Sequence, residues 1–425
     1  TTGTNNVATG YQALYTNTAG ASNTALGMEA LRLSTTGSYN TAVGHQSLFS
    51  NTTGTQNSAL GQSALKANTT GSFNTAFGVN TMFYNTTGSE NTAVGRYSLY
   101  NNTASNNTAI GNTALYANTT GAHNVAVGRQ ALNSNIIGGF NVAVGHGALM
   151  SNTVSYNTAV GHESLTANTT GVYNSAFGFG ALRASVASAS NSAFGYKALF
   201  NSVAGVSNTA VGTEALYNTT ASYNVGIGSH VLHSNTTGAQ NTASGFQALF
   251  SNTTGVDNTA SGYQALYSNT TGGNNTAIGR QTLYTNTTGG NNVSVGYQSL
   301  LSNTTGASNT AVGTSTLFSS TTGYNNTAVG YNALYANTTG GNNSAFGLQA
   351  LQNTTSGTGN SAVGIQTLLL NTVGSGNVAL GYQALAANTT GNDNVAIGFA
   401  LNKNTTGIWN TAVGREALFY NTTAN

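Results

Sequence analysis

The stretch "YNTAVGHQSLFSNTTGTQ", from Tyr39 to Gln56, is followed at once by the closely similar "NSALGQSALKANTTGSF", from Asn57 to Phe73. Both contain the pattern Asn-[Thr/Ser/Val]-Ala-apolar-Gly, which we call the strand motif, with its motif asparagine and motif glycine. The strand motif occurs 25 times, spaced by 17 residues except for four spacings of 16. A fixed period of this kind indicates one array of stacked turns rather than several globular domains.

The residue types within the strand motif indicate a β-strand. The position after the motif asparagine holds only Thr, Val or Ser, and β-branched residues suit a pleated strand. The motif asparagine itself never varies, which predicts a ladder of side-chain amides that bond from one turn to the next. We expect this ladder to include Asn6, Asn23, Asn40, Asn57, Asn74, Asn91, Asn107, Asn124, Asn141 and Asn157.

A leucine follows the motif glycine by four residues in nearly every repeat, and this regularity is typical of a core position. We expect core leucines at Leu14, Leu31, Leu48, Leu65, Leu99 and Leu115. Each turn would then bury one Leu, the Ala of the strand motif and the Val-sized residue after it. A core this small favours several chains sharing it, so we expect self-association.

These observations predict an all-β fold, a parallel β-solenoid (β-roll) of 25 coils with a repeat of about 17 residues. Stacked strands lie about 4.8 Å apart, so the coils would form a rod roughly 120 Å long. The alternative is a mixed β/α solenoid, because Gln-Ala-Leu within "GYQALYSN" is a good helix sequence. We expect residues 1–425 to form a single continuous array, a segment of a longer fibre protein, since neither end resembles a capping repeat.

Composition bears on the classes of function. Only 4% of residues are charged and the net charge is +2, which argues against nucleic acid as a partner. No apolar stretch approaches the roughly 18 residues of a membrane-spanning helix. Acidic residues are scattered along the chain with no repeated nucleophile–His–acid arrangement. We therefore predict no catalytic activity, no cofactor and no metal site; the acids are Glu29, Glu90, Glu163, Glu214, Asp257, Asp393 and Glu416.

Histidines and aromatic residues recur at two positions. His45, His146 and His162 share the position after the motif glycine, which we interpret as exposed and variable; a metal site at His146 and His162, on consecutive turns, is the weaker alternative. Aromatic residues occupy the same position, as at Tyr11 and Tyr263, and also the position after the core leucine. We expect both aromatic columns to face outward and to pack between chains or fibres, with carbohydrate contact as a weaker alternative; the second column includes Phe49, Tyr100, Tyr116, Phe250, Tyr267 and Tyr284.

The turn segment "NTT" recurs and has the form of an N-glycosylation acceptor. The same residues also favour turns, so plain turn chemistry is the competing interpretation. The candidate glycosylation sites are Asn51, Asn68, Asn85, Asn235, Asn252 and Asn303.

The strand motif resembles the head repeat of YadA-like trimeric autotransporter adhesins, whose units carry a Ser-Val-Ala-Ile-Gly type core. The nearest matches are "NVAIG" (Asn394 to Gly398), "NVAVG" (Asn124 to Gly128) and "NSAVG" (Asn360 to Gly364). Similar arrays are also typical of phage tail fibres. The resemblance implies a left-handed parallel β-roll, a homotrimer about one axis, and a location outside the cell, on a cell surface or on a phage particle. The repeat here is longer than the family's unit.

Together these features predict an extracellular structural fibre, filament or adhesin shaft. Its partners would be copies of itself, as a homotrimer or an end-to-end filament, with contact to a host surface or carbohydrate. The alternative is an ice-binding β-solenoid. Stacked threonines after the motif asparagine would form a hydroxyl–methyl row (Thr24, Thr41, Thr75, Thr92), although valine and serine interrupt it (Val125, Val142, Ser175, Ser192).

Overall fold

The structure, a computed structural model, describes residues 2–424. It contains 25 short parallel strands, one from each strand motif, and forms a parallel β-solenoid, as predicted. Residues 2–424 contain no helix, so the mixed β/α alternative is wrong. It follows that these residues include no helix that could cross a membrane. The handedness of the coil stays a prediction.

The chain divides into two compact units, Thr1–Ala210 and Val211–Asn425. The first contains β1 Val7–Thr9, β2 Thr24–Leu26, β3 Thr41–Val43, β4 Ser58–Leu60, β5 Thr75–Phe77, β6 Thr92–Val94, β7 Thr108–Ile110, β8 Val125–Val127, β9 Val142–Val144, β10 Thr158–Val160, β11 Ser175–Phe177 and β12 Ser192–Phe194. The division falls within β13, Thr209–Val211. The second contains β14 Val225–Ile227, β15 Thr242–Ser244, β16 Thr259–Ser261, β17 Thr276–Ile278, β18 Val293–Val295, β19 Thr310–Val312, β20 Thr327–Val329, β21 Ser344–Phe346, β22 Ser361–Val363, β23 Val378–Leu380, β24 Val395–Ile397 and β25 Thr411–Val413. That residues 1–425 form one continuous array stays a prediction.

Neighbouring strands within each unit pair in parallel and in register, like residue against like residue. Ala42 of β3, for example, pairs with Ala59 of β4. The backbone bonds run from one turn to the next: Thr41 N–H donates to the Asn57 carbonyl at 2.8 Å, and Gly44 N–H donates in the opposite direction. Each turn is therefore held to the turns on both sides by its own backbone.

In β2 to β25 the middle residue is the only one of the three that is buried in the core, whereas all of β1 is exposed. Ala25, Ala42 and Ala76 are completely buried, whereas the residues on either side of each alanine are half-buried or exposed. The expectation that the Val-sized residue after the alanine belongs to the core is wrong. Side chains alternate between the two faces of a strand, so an inward alanine turns both of its neighbours outward.

The core is completed by the leucine and by a second small residue before it. Leu31, Leu48, Leu65, Leu99 and Leu115 are all fully buried, as predicted. The residue before the leucine is also buried in every turn except the first and the last, both where it is alanine, as at Ala30 and Ala64, and where it is a hydroxyl residue, as at Ser47. Leu14 is the exception and is only half-buried, because it lies in the first turn, which is covered on one side only.

A corner of left-handed residues replaces the helical turn that the Gln-Ala-Leu sequence favours. Gln46 has φ 55° and Leu48 has φ 51°, and the equivalent positions of other turns behave alike. Two left-handed residues separated by one residue cannot belong to an α-helix. Bulky residues rarely adopt this conformation, so burial of the leucine and the backbone bonds between turns must compensate for its cost.

The motif glycine begins this corner, and its conformation excludes other residues. Gly44 has φ 129°, a region that side chains disfavour. A Cβ built on Gly44 would lie 2.6 Å from the carbonyl oxygen of Gly61 in the next turn. The motif glycine is therefore required both by its φ and by the close approach of the neighbouring turn.

The ladder of motif asparagines is present as predicted. The Oδ1 atom of Asn23 accepts from the backbone N–H of Asn40 at 2.9 Å and from its Nδ2 at 3.2 Å. Asn40 Nδ2 also donates to the carbonyl of Gly54 at 2.9 Å. Asn23 to Asn157 of the predicted set are buried, whereas Asn6 in the first turn is only half-buried. We call this the first asparagine ladder.

Candidate functional surfaces

The outward residues of the strands form one surface in each unit, which we call the strand face. It consists of the first and third residues of every strand, and no charged residue occupies either position in any of the 25 repeats. Many third residues are well exposed, among them Leu60 at 49%, Ile227 at 47% and Leu380 at 47%. Because the strands pair in register, these side chains form two straight columns along each unit. The strand face is thus an uncharged surface in which a column of mostly apolar third residues runs beside a column of first residues that are mostly Thr and Ser.

The strand face is bordered by the residue after the motif glycine. Tyr11, Tyr263 and Tyr331 at this position are exposed, as predicted. Where aromatic rings occur in successive turns they stack, as Phe246 and Tyr263 do with ring centroids 5.6 Å apart. This border widens the apolar surface beyond the strands.

The second predicted aromatic column, after the core leucine, is more enclosed than expected. Phe250, Tyr267 and Tyr284 are half-buried and their rings stack from turn to turn at 5.3 and 5.2 Å. The turn spacing brings equivalent side chains close together, so each ring is covered by its neighbours and only its outer edge remains accessible.

A third aromatic column, which the sequence interpretation missed, lies immediately before the motif asparagine. Tyr39, Phe73 and Tyr173 are all more than half exposed there. Phe140, Tyr156 and Tyr173 stack in successive turns at 5.4 and 5.5 Å. Residues at this position have a left-handed backbone, with φ 60° at Tyr39. The sequence does contain a sign of this column, because aromatic residues recur at this repeat position together with Asn, Asp and Gly, which favour a left-handed backbone.

The predicted glycosylation sites form a second asparagine ladder instead. Asn68 Nδ2 donates to Asn51 Oδ1 at 2.8 Å and to the Gly71 carbonyl at 2.9 Å. That same carbonyl accepts from Asn57 of the first ladder, also at 2.9 Å. All six candidates are fully buried, namely Asn51, Asn68, Asn85, Asn235, Asn252 and Asn303. A glycan is attached through Nδ2, so the folded structure contradicts glycosylation at these positions.

Some of the scattered charged residues and histidines form local pairs. His146 and His162 stack with ring centroids 5.0 Å apart, as their position in consecutive turns predicts. Glu163 binds Arg183 of the next turn, with 2.9 Å between Oε2 and Nε. The sequence interpretation missed a third group, in which both His230 and His233 approach Oε2 of Glu214, at 3.3 and 3.4 Å.

His233 occupies the aromatic column after the core leucine. Its ring lies between Tyr217 and Phe250, with centroid distances of 5.1 and 5.2 Å. Burial lowers the pKa of His233, and His230 acts in the same direction, while Glu214 opposes both. Within residues 2–424, no group of three or more His, Asp or Glu side chains is arranged to hold a metal ion.

Comparison of the chain with models of known protein families finds no match, and comparison with curated proteins finds none either. The surfaces described above are therefore the basis for assigning a function.

Proposed function

We propose that this chain is a structural component of an extracellular fibre, filament or adhesin shaft, and that copies of it associate through the strand face. The observation that carries the proposal is the strand face itself, an uncharged surface whose exposed apolar column of third residues is repeated in register along each unit. Exposed apolar surfaces of this extent mark interaction sites in soluble proteins.

A mechanical role is supported by the direction of the hydrogen bonds. Backbone bonds, both asparagine ladders and a row of threonine hydroxyls all connect one turn to the next; Thr52 Oγ1, for example, donates to the Thr69 carbonyl at 3.0 Å. Separating two turns within a unit would require breaking several of these bonds at once. Such a stack resists extension along its own direction.

The size of the strand face fits an interface between copies. With about 4.8 Å per turn and a width of roughly 10 Å, twelve turns present on the order of 600 Å². The aromatic border adds to this area, and stable interfaces bury about 800 Å² on each partner. A second copy offers the same axial spacing, so its side chains stay matched over many turns. The homotrimer implied by the resemblance would use this face. An end-to-end filament, the other assembly that we propose, would not use it and would persist when the face is altered.

The experiment that tests the proposal introduces charge into the strand face. Val363 and Ile397 are 42% and 38% exposed, so Val363→Lys with Ile397→Lys leaves the core untouched. We expect sedimentation velocity to show an oligomer for the unchanged chain and a monomer for the double variant. The matched control is Thr339→Lys, at an exposed position away from the strand face, which should remain oligomeric. A monomeric unchanged chain would contradict the proposal.

A second candidate function, ice binding, is favoured by the threonines of the strand face. Thr242, Thr259 and Thr276 pair directly in three successive strands, each followed two residues later by an outward side chain. This run presents hydroxyl and methyl groups at the constant spacing of the sheet. Ice binding would be supported if the unchanged chain shows thermal hysteresis and Thr259→Lys does not. It would be eliminated if the unchanged chain shows no thermal hysteresis.

A further inference from the structure

Four tyrosines lie in contact on three consecutive turns of the first unit. They are Tyr84, Tyr97, Tyr100 and Tyr116, which we call the tyrosine cluster. Tyr100 is central to it: its ring centroid is 5.2 Å from Tyr84, 5.4 Å from Tyr97 and 5.3 Å from Tyr116. The rings of Tyr100 and Tyr116 are nearly parallel, at 5°, while the other two meet Tyr100 edge-on.

The repeat explains why these rings meet. Tyr100 and Tyr116 both follow a core leucine in successive turns, so the turn spacing brings them together. Tyr84 comes from the preceding turn and is 49% exposed, and the other three are half-buried with accessible edges. The other three rings therefore all contact Tyr100, and none of the four is fully buried.

Arg96 lies directly beside the cluster. Its guanidinium carbon is 4.7 Å from the centre of the Tyr97 ring, and Nη2 lies 3.4 Å from the Tyr97 hydroxyl. The hydrogen bond from Arg96 lowers the pKa of Tyr97. Burial raises the pKa of Tyr100, so of these two phenols Tyr97 loses its proton more readily and is the more easily oxidised.

We propose that the tyrosine cluster is a site of oxidative cross-linking, at which hydrogen peroxide and a haem peroxidase join two tyrosines of neighbouring turns. Each phenol gives up one electron and one proton to become a phenoxyl radical. The two radicals form a carbon–carbon bond between ring carbons next to their hydroxyls. The hydrogens on those two carbons then move to the oxygens, and the peroxide is reduced to two molecules of water.

The product is a covalent bond between turns in a chain that contains no cysteine and hence no disulfide. Tyr100 can bond to Tyr84 of the turn before it or to Tyr116 of the turn after it. The reaction takes place within one chain and does not depend on the association of copies, so it is independent of the proposed fibre.

The test treats the full chain, at a dilution where single chains predominate, with horseradish peroxidase and hydrogen peroxide. Peptide mass spectrometry after proteolysis then identifies the joined tyrosines. We expect cross-links that include Tyr100, formed within one chain. The combined yield of cross-links among Tyr84, Tyr97, Tyr100 and Tyr116 should fall several-fold in Tyr100→Phe, because Tyr100 is the ring that contacts the other three. Phenylalanine keeps the ring packing, so this variant retains the fold.

Tyr39→Phe is the matched control. Tyr39 is 66% exposed, and the equivalent residues of the adjacent turns are Ser22 and Gln56, so it has no tyrosine above or below it. Its loss should leave the Tyr100 cross-link unchanged. Cross-links that form only between chains, or a yield in Tyr100→Phe equal to that of the unchanged chain, would overturn the proposal.

Discussion

At the scale of single residues, asparagine organises the structure at two positions of each turn. The first ladder could be predicted, because an amide that never varies along a repeat has few explanations other than a ladder. The second could not, because "NTT" has the composition of an ordinary turn and of a glycosylation acceptor. Asn68 differs from an exposed turn asparagine because it is buried and its Nδ2 donates to Asn51 in the previous turn. Both features depend on how the turns stack.

The second ladder is interrupted where serine replaces asparagine, and this gives a prediction. Ser320 is buried with no hydrogen-bond partner for Oγ in the described chain, and Oδ1 of Asn303 in the turn before it also has none. Ser320→Asn would supply Nδ2 to that oxygen. We expect urea denaturation to show a gain of about 1 kcal/mol in the free energy of unfolding. Ser319→Asn, on a half-buried neighbour, should give no gain; an equal gain in both would contradict the ladder.

The first ladder can be tested by removing one amide. Asn258 Oδ1 accepts from the Asn275 backbone N–H at 3.0 Å and from its Nδ2 at 3.1 Å. Asn258→Ala leaves these buried donors without their acceptor, a loss of roughly 1–3 kcal/mol in unfolding free energy. The control is Thr259→Ala, at the exposed neighbouring position. A melting temperature for Asn258→Ala equal to that of the control would show that the ladder contributes nothing.

At the scale of strands and corners, the sequence predicts which segments form strands but not the direction of every side chain. A three-residue strand has a single inward residue. The absence of large side chains at the alanine position could have identified that position as the inward one. The left-handed corner could not be predicted, because Leu48 with φ 51° is unfavourable in isolation. Only the stack, in which its N–H bonds to the Ala64 carbonyl of the next turn, stabilises that conformation.

The aromatic column after the core leucine gives a prediction about pH. Burial lowers the pKa of His233 below its ordinary value of 6.5, so near this pH the unfolded chain binds more protons than the folded one. Stability therefore rises with pH in this range and falls as the pH drops through 6.5 toward the lower folded pKa.

His233→Tyr keeps a ring between Tyr217 and Phe250 but cannot take up this proton. We expect the decrease in melting temperature from neutral to mildly acidic pH to be smaller in this variant than in the unchanged chain. His45→Tyr, on the other histidine column, should leave the decrease as it is. An unaltered pH dependence in His233→Tyr would contradict the assignment.

At the scale of the whole molecule, the same repeat that joins turns within a chain leaves an uncharged surface with an exposed apolar column on the outside. The sequence interpretation placed the third strand residue in the core and concluded that the core was too small for one chain. The structure places that residue on the strand face, so a shared core would form between copies rather than within each coil. The expectation of self-association thus rests on the strand face and not on a core too small for one chain.

Cysteine cross-linking across the strand face tests this account most directly. The chain contains no cysteine, so a single Thr327→Cys substitution in β20 reports on that position alone. If copies pack in register through the strand face, oxidation should yield chains linked by a disulfide between identical positions, whereas Thr339→Cys, away from this face, should stay unlinked. Unlinked chains from Thr327→Cys, or equal linkage from both variants, would contradict it.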